Sequence, residues 1–481
     1  MSRLESLPAE VLKLVMQQIH LRDRLLSCCL VSKRLHAAAV AATQQVELAA
    51  LDLAPGGMQS GLHWMSQYGH HVTSFSFGNY SQPVHKLICP NLLELRMWMC
   101  SVQLGPTADG QPGVIQGCTK LTRLELDCNI IDAAEGAVVD SLSSLVDLQH
   151  LSVLPTGAGW VTHYLGGLSG STLPRLKHLT RLDVRYLSNE NLAQLGGSTN
   201  LQELVLHAAG DGAAVGPGSA PGLAFPASLT RFETESRVQA EVVSLLPAGL
   251  KELHMLGVVE GPIGGPGSML FYIGRLQQLT RLELHLDNGW LPAGPAYSAL
   301  TASSSLASLV TSRAILPAGV WPHVFPSTRK MLNLTQLDFA DESLWNAADM
   351  SRLVSCCPNL CRVGGMYLHQ CSYVSKLQEL TALTSMLVIY PATNLIGLSQ
   401  SVKGLAALTQ LRDLTVELHS QEHLQVSSLL PLTSLTALTS MDWDGDHQPH
   451  SINFGQVIGP FYLLLLQLQL LFGSKGLGVT L

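Results

Sequence analysis

The chain has 481 residues, 47% of them hydrophobic, with a formal net charge of −7 and only 13% charged side chains, where about 25% is usual. That balance allows a large core and excludes the clustered Lys and Arg of a polyanion binder, so no nucleic-acid partner is expected. Ten cysteines scattered along a long chain fit a reducing compartment, and the opening MSRLESLPAEV has no charged-then-apolar leader profile, so a cytoplasmic or nuclear location is expected.

Residues 1–43 read as three short helices. Leu7, Val11, Leu12, Val15 and Ile19 are spaced for one helical face. Pro8 sits near a helix start, where its missing N–H costs little. Asp23 precedes a second apolar run, Leu25-Leu26 to Leu30-Val31, and Ser32 can cap a third helix. In order and spacing, Leu7, Pro8, Glu10, Val11, Leu12, Ile19, Asp23, Leu26, Leu30, Val31, Ser32, Lys33 and Arg34 resemble an F-box. Leu35 departs from the tryptophan usual in that family. The resemblance implies a substrate receptor of an SCF-type ubiquitin ligase that docks on a Skp-type adaptor, and through it on a cullin and a RING subunit. Adaptor contacts are then expected at Leu7, Pro8, Glu10, Val11, Leu12, Val15, Ile19, Leu26, Leu30, Val31 and Lys33. A plain helical cap on a repeat domain is the alternative.

Residues 44–91 read as a transition with early irregular repeats, of which Val72/Phe75/Phe77 is a plausible copy. From there the pattern L-x-x-L-x-L recurs. Leu121, Leu124, Leu126 and Asn129 form its fullest copy, L-x-x-L-x-L-x-x-N. Fourteen copies start between Leu92 and Leu438, 346 residues apart, giving a mean period of about 27. Each copy is a short strand whose alternate apolar residues point inward, and no copy can bury them alone, so neighbours must stack. The expected fold is therefore α/β: a leucine-rich repeat solenoid over 92–456. It should form a parallel-sheet horseshoe with helices and loops on the convex side, preceded by a small all-α F-box. Most copies lack an asparagine at the ninth position, which leaves an asparagine ladder there in doubt.

Alternate copies carry TRLEL, TRLDV, TRFET and TRLEL. Arg123, Arg181, Arg231 and Arg281 then fall on the solvent side of the sheet, with Glu125, Asp183, Glu233 and Glu283 two residues on. These eight are the candidate target-binding residues. The Arg column is broken by His150, Glu203 and Glu252, and a surface of mixed sign suits a folded protein partner. A solvated, mutually neutralising face is the other reading. Gly/Pro-rich inserts at 104–113, 208–226 and 257–268 read as loops.

No segment supplies chemistry convincingly, so no cofactor, metal or catalytic residue is assigned. His419-Ser420-Gln421-Glu422-His423 matches a zinc-protease motif but follows a repeat strand, and no Glu comes after it. Asp442, Asp444 and Asp446 lack the Gly and Glu of a calcium loop, having His447 and Asn453 in those places. Gly261–Gly267 lacks the Lys-Ser/Thr of a phosphate loop. Cys356, Cys357, Cys361 and Cys371 lack paired C-x-x-C spacing and read as core cysteines. Val457–Phe472, interrupted by Gly459, Pro460 and two Gln, falls short of the roughly 18 apolar residues of a membrane helix and reads as a buried terminal element. A repeat scaffold without any ligase link is the main rival function.

Overall fold

A computed structural model of the chain forms two compact units, Met1–Ser236 and Arg237–Leu481. The structure describes residues 7–19, 32–49, 57–84, 87, 89–104, 113–130, 142–154, 173–185, 187, 189–207, 223–235, 238–256, 258–259, 269–285, 294–312, 316–317, 319–340, 345–367, 371–390, 403–418, 435, 437, 440–445 and 450–453. The second expected N-terminal helix, most of each Gly/Pro-rich insert, the His419–His423 motif, Gly261–Gly267 and Val457–Phe472 lie outside them.

Among the described residues the first unit opens with helices α1 (Ala9–Gln17) and α2 (Lys33–Ala42). Pro8 caps α1 at φ −55 and accepts from Leu12 N–H at 3.0 Å, so the ring that cannot donate stands where no donor is needed. The Ser32 hydroxyl caps α2 by accepting from Leu35 N–H at 3.3 Å, as its position before the helix suggests. Leu12, Met16, Leu35, Ala38, Ala39 and Ala42 form the core between the helices, with Leu7 and Ile19 packed at its edge. The three alanines keep the α2 face low, which lets Leu12 and Met16 of α1 reach it. The Arg34 guanidinium donates to the Leu7 carbonyl at 2.6 Å and ties the two ends of the motif together.

The unit continues with β1 (Gln45–Ala49), α3 (Gly57–Tyr68), β2 (Ser74–Val84), β3 (Glu94–Val102), β4 (Arg123–Ile130), β5 (His150–Val153), β6 (Arg181–Val184), α4 (Asn189–Gln194), β7 (Glu203–Leu206) and β8 (Arg231–Thr234). The strands pair in parallel from β1 to β8. One row of register partners runs Val46, Phe75, Leu95, Leu124, Leu151, Leu182, Leu204 and Phe232, all buried. The ladder thus reaches back to Gln45, well before the first clear copy at Leu92. The β1 copy escapes the leucine pattern because Thr43 fills the first apolar place; it is fully buried and its hydroxyl donates to the Ala39 carbonyl at 2.7 Å.

The second unit contains β9 (Val238–Gln239), α5 (Ala240–Ser244), β10 (Glu252–Met255), β11 (Val258–Val259), α6 (Met269–Ile273), β12 (Arg281–His285), β13 (Ser308–Ser312), α7 (Trp321–Val324), β14 (Gln336–Ala340), α8 (Ala347–Cys356), β15 (Arg362–Tyr367), β16 (Ser385–Tyr390), β17 (Asp413–Leu418), β18 (Ser440–Gly445) and β19 (His450–Asn453). Strands β10 and β12 to β18 pair in parallel, along a row through Leu253, Leu282, Leu309, Leu337, Val363, Met386, Leu414 and Met441. Strand β19 returns antiparallel to β18, which holds Asp442 and Asp444, while Asp446 lies outside the described residues. Within each unit the architecture is the α/β repeat solenoid that the leucine spacing dictates.

Two side-chain ladders join successive repeats. Just before several strands a threonine donates its hydroxyl to a carbonyl of the preceding repeat: Thr122 to Leu93, Thr180 to Gln149, Thr230 to Gln202, Thr280 to Lys251 and Thr335 to Ala307, at 3.0–3.2 Å. The asparagine just before the first leucine does the same with its amide: Asn200 to Lys177, Asn333 to Ser304 and Asn359 to Leu332, at 2.6–2.9 Å. The asparagines of this chain therefore serve a turn at the opposite end of the strand from the ninth position. The threonine hydroxyls add to carbonyls that already accept two backbone N–H groups of the next repeat, while the asparagine amides meet carbonyls at the turn itself.

Cys89, Cys100, Cys118, Cys128, Cys356 and Cys357 are buried free thiols, as core cysteines should be, while Cys361 is exposed. Burial pushes the Cys89 thiol up to about 12 and the Cys118 thiol up to about 11, which makes them unreactive.

Candidate interaction surfaces

Helix α1 presents two faces. Its inner face is spent on α2, and Leu12 has no exposed area at all. The leucine spacing places Leu12 among the adaptor contacts. The structure corrects this: a side chain closed in by Met16, Leu35 and Ala39 holds the motif together and has nothing left to offer a partner. Leu35 is buried in the same core, so the exchange for tryptophan is absorbed by internal packing. Leu7, Val15 and Ile19 are half-buried, and Pro8, Glu10 and Lys33 are exposed. Leu26, Leu30 and Val31 lie outside the described residues. The outer face of α1 shows Val11 at 40% and Leu14 at 61% exposure. Leu14 is missing from the sequence-based set because the leucine spacing there follows the inner stripe. Its place one turn beyond Val11 was the signal available.

The second surface is the solvent side of the sheets. In the first unit the expected Arg/acid columns occupy equivalent register positions. Arg123, His150, Arg181, Glu203 and Arg231 form one row, and Glu125, Ser152, Asp183, Val205 and Glu233 the next row. The charges are spent on each other. Glu125 is held by Arg123, by Arg96 at 3.2 Å and by His150 at 3.5 Å. Arg181 bridges Glu203 at 3.0 Å and Asp183 at 3.4 Å, and Arg231 binds Glu233 at 2.7 Å. In the second unit Glu283 gathers Arg281, His254 and His285 at 3.3–3.7 Å. The columns therefore form short internal networks, as the neutralising alternative anticipates.

Histidines complete these networks, which charge patterning in the sequence does not reveal. His207 Nε2 lies 3.0 Å from Asp183 and its Nδ1 lies 3.3 Å from Glu235. Only the imidazolium has two N–H groups to offer, so this geometry belongs to a charged histidine. The Asp183 hydrogen bond raises the pKa of His207 against the opposing effect of burial. Burial alone would raise Asp183, but His207 and Arg181 outweigh it and hold the carboxyl below its ordinary value. His150 goes the other way, lowered by burial and by Arg123 and Arg181 on either side.

Among the described residues no group of three or more His, Cys, Asp or Glu is placed to hold a metal ion, and no described helix is long and apolar enough to cross a membrane. Glu417 and Asp444 are register partners on β17 and β18.

A family model for the F-box domain matches residues 4–40, the span that holds α1 and most of α2. Among solved structures the chain is similar to an internalin from Listeria monocytogenes, with 15% identity and a TM-score of 0.41 over 80% of this chain and 89% of that chain. No curated protein matches the chain. The chain carries an F-box at its N-terminal end and leucine-rich repeats behind it, the latter assigned from its own strand registers.

Proposed function

We propose that this protein is the substrate-recognition subunit of an SCF-type ubiquitin ligase, non-catalytic itself. The F-box holds a Skp-type adaptor, and through it a cullin and a RING subunit, while the repeats hold the protein to be modified. The observation that carries this reading is the F-box match at residues 4–40, with Val11 and Leu14 left exposed on the outer face of a helix whose inner face is already satisfied. Leucine and valine one turn apart on an exposed helix face offer a partner apolar surface to bury.

The target is recognised on the solvent side of the parallel sheets, where variable strand positions stand side by side. There the paired Arg/acid columns set the electrostatic background that governs encounter rate and specificity more than affinity. The site of action is the cytoplasm or nucleus, a reading that rests on the scattered cysteine spacing.

The test is co-purification with a Skp-type adaptor. The chain is expected to capture the adaptor, and Val11→Asp with Leu14→Asp is expected to abolish capture while the repeat domain keeps its melting temperature. Capture unchanged in the double variant removes the ligase link and leaves a repeat scaffold.

A further inference from the structure

One place on the second unit breaks the rule that charges on the sheet are paired internally. Ser308, Gln336 and Arg362 are register partners across β13, β14 and β15, and Asp338 and Gly364 are partners in the next row. The Asp338 carboxyl lies flat over Gly364, 2.6 Å from where a Cβ would stand, so only glycine leaves room for it there. Its Oδ1 is buried without a hydrogen-bond partner, and so is the Ser308 hydroxyl. Burial raises the pKa of Asp338, opposed by Arg362 and reinforced by Glu283. The Arg362 guanidinium is exposed and has no hydrogen bond or ion pair with any described residue. At equivalent register positions, Arg123, Arg181, Arg231 and Arg281 are all engaged by acids. A buried acceptor left unmet destabilises a fold; Arg362 acts on Asp338 through its charge, and no described residue takes up the hydrogen-bonding capacity of either group, which leaves both open to a partner.

The geometry points to a recognition site for a carboxamide side chain, a glutamine or asparagine of the target, with its NH₂ donating to Asp338 and its C=O accepting from Arg362. This inference deepens the receptor reading and rests on it for its biological setting. A carboxamide carries donor and acceptor side by side, as Asp338 and Arg362 stand on adjacent strands. A main-chain amide in an extended segment points its N–H and C=O to opposite sides and cannot meet both. The acid–guanidinium pair also rejects charged competitors: Asp338 repels a carboxylate, and Arg362 repels an ammonium.

The full chain is titrated with three probes, the N-acetyl methylamides of glutamine, glutamate and lysine. The readout is the carboxyl carbon resonance of Asp338, assigned by its loss in Asp338→Asn, together with backbone amide resonances of β14 and β15. The glutamine probe is expected to bind saturably and about tenfold more tightly than either charged probe. Arg362→Ala is expected to abolish this, and Asp338→Asn to shift the preference to the glutamate probe, with the melting temperature of each variant checking the fold. No saturable binding of the glutamine probe, equal binding of all three, or an unchanged preference in Asp338→Asn overturns the inference. Adaptor capture is measured on the same proteins. Its survival when the probes fail leaves the receptor reading standing, and its loss when the glutamine probe binds leaves the site standing without the ligase.

Discussion

Replacing Leu12 and Leu14 by alanine, one at a time, separates a residue that builds the F-box from one that serves a partner. Leu12 is fully buried, so its truncation loses transfer energy and leaves a cavity, about 2–5 kcal/mol. A module of this size holds roughly 2–6 kcal/mol in all at the usual per-residue stability. Leu12→Ala is therefore expected to unfold the N-terminal helical motif locally, with loss of hydrogen-exchange protection along α1 and α2 and loss of adaptor binding as a consequence. Leu14 is 61% exposed. Its covered part is worth about 1 kcal/mol or less of folding stability, and the better helix propensity of alanine offsets a little of that. Burying its exposed part against a partner is worth about 1–2 kcal/mol, or roughly 5–30-fold in Kd. Leu14→Ala should thus keep exchange protection near that of the parent and weaken adaptor binding in calorimetry by that factor. Equal loss of protection in both variants, or unchanged affinity in Leu14→Ala, refutes the division of α1 into a structural and a docking face.

The repeats and thiols give four further outcomes. Gly78→Ala sets a Cβ 2.0 Å from the Trp98 ring and should cost about 1–3 kcal/mol in denaturant melts; in a Trp98→Ala background the same change should cost almost nothing. Asn359→Ala removes the 2.8 Å bond to the Leu332 carbonyl and should cost about 0.5–1.5 kcal/mol, whereas an unchanged melt denies the asparagines a structural role. His207 has a raised pKa, so its contribution is complete below the ordinary histidine value near 6.5 and is lost as pH rises through its folded value. Exchange protection of β6 to β8 should fall on that alkaline limb, and His207→Gln should flatten it. Thiol labelling of denatured, unreduced protein should count all ten cysteines; a shortfall would reveal a disulfide.

The spacing of apolar residues decided most of the architecture before any coordinates. A strand that hides every second residue forces the L-x-x-L-x-L pattern, and a pattern too short to bury its own leucines forces stacking, so the registers from Leu95 to Leu414 were legible in advance. The equivalence of Arg123, Arg181, Arg231 and Arg281 was legible for the same reason, because period fixes position. Partnership was legible only in part, where Arg123, Arg231 and Arg281 meet the acid two residues on in their own strand. The cross-strand bridges depend on neighbours about 5 Å away, which lie some 20–30 residues off in sequence: Arg181 finds Glu203, and His207 finds Asp183 and Glu235. The two faces of α1 show the same limit. Leu12 and Leu14 are the same residue two positions apart, and only the docking of α2 makes one the core and leaves the other to a partner. Period is a one-dimensional property that a chain writes into its order. Pairing, burial and an unmet carboxylate such as Asp338 come from the folded neighbourhood, and they exist only once the repeats have stacked.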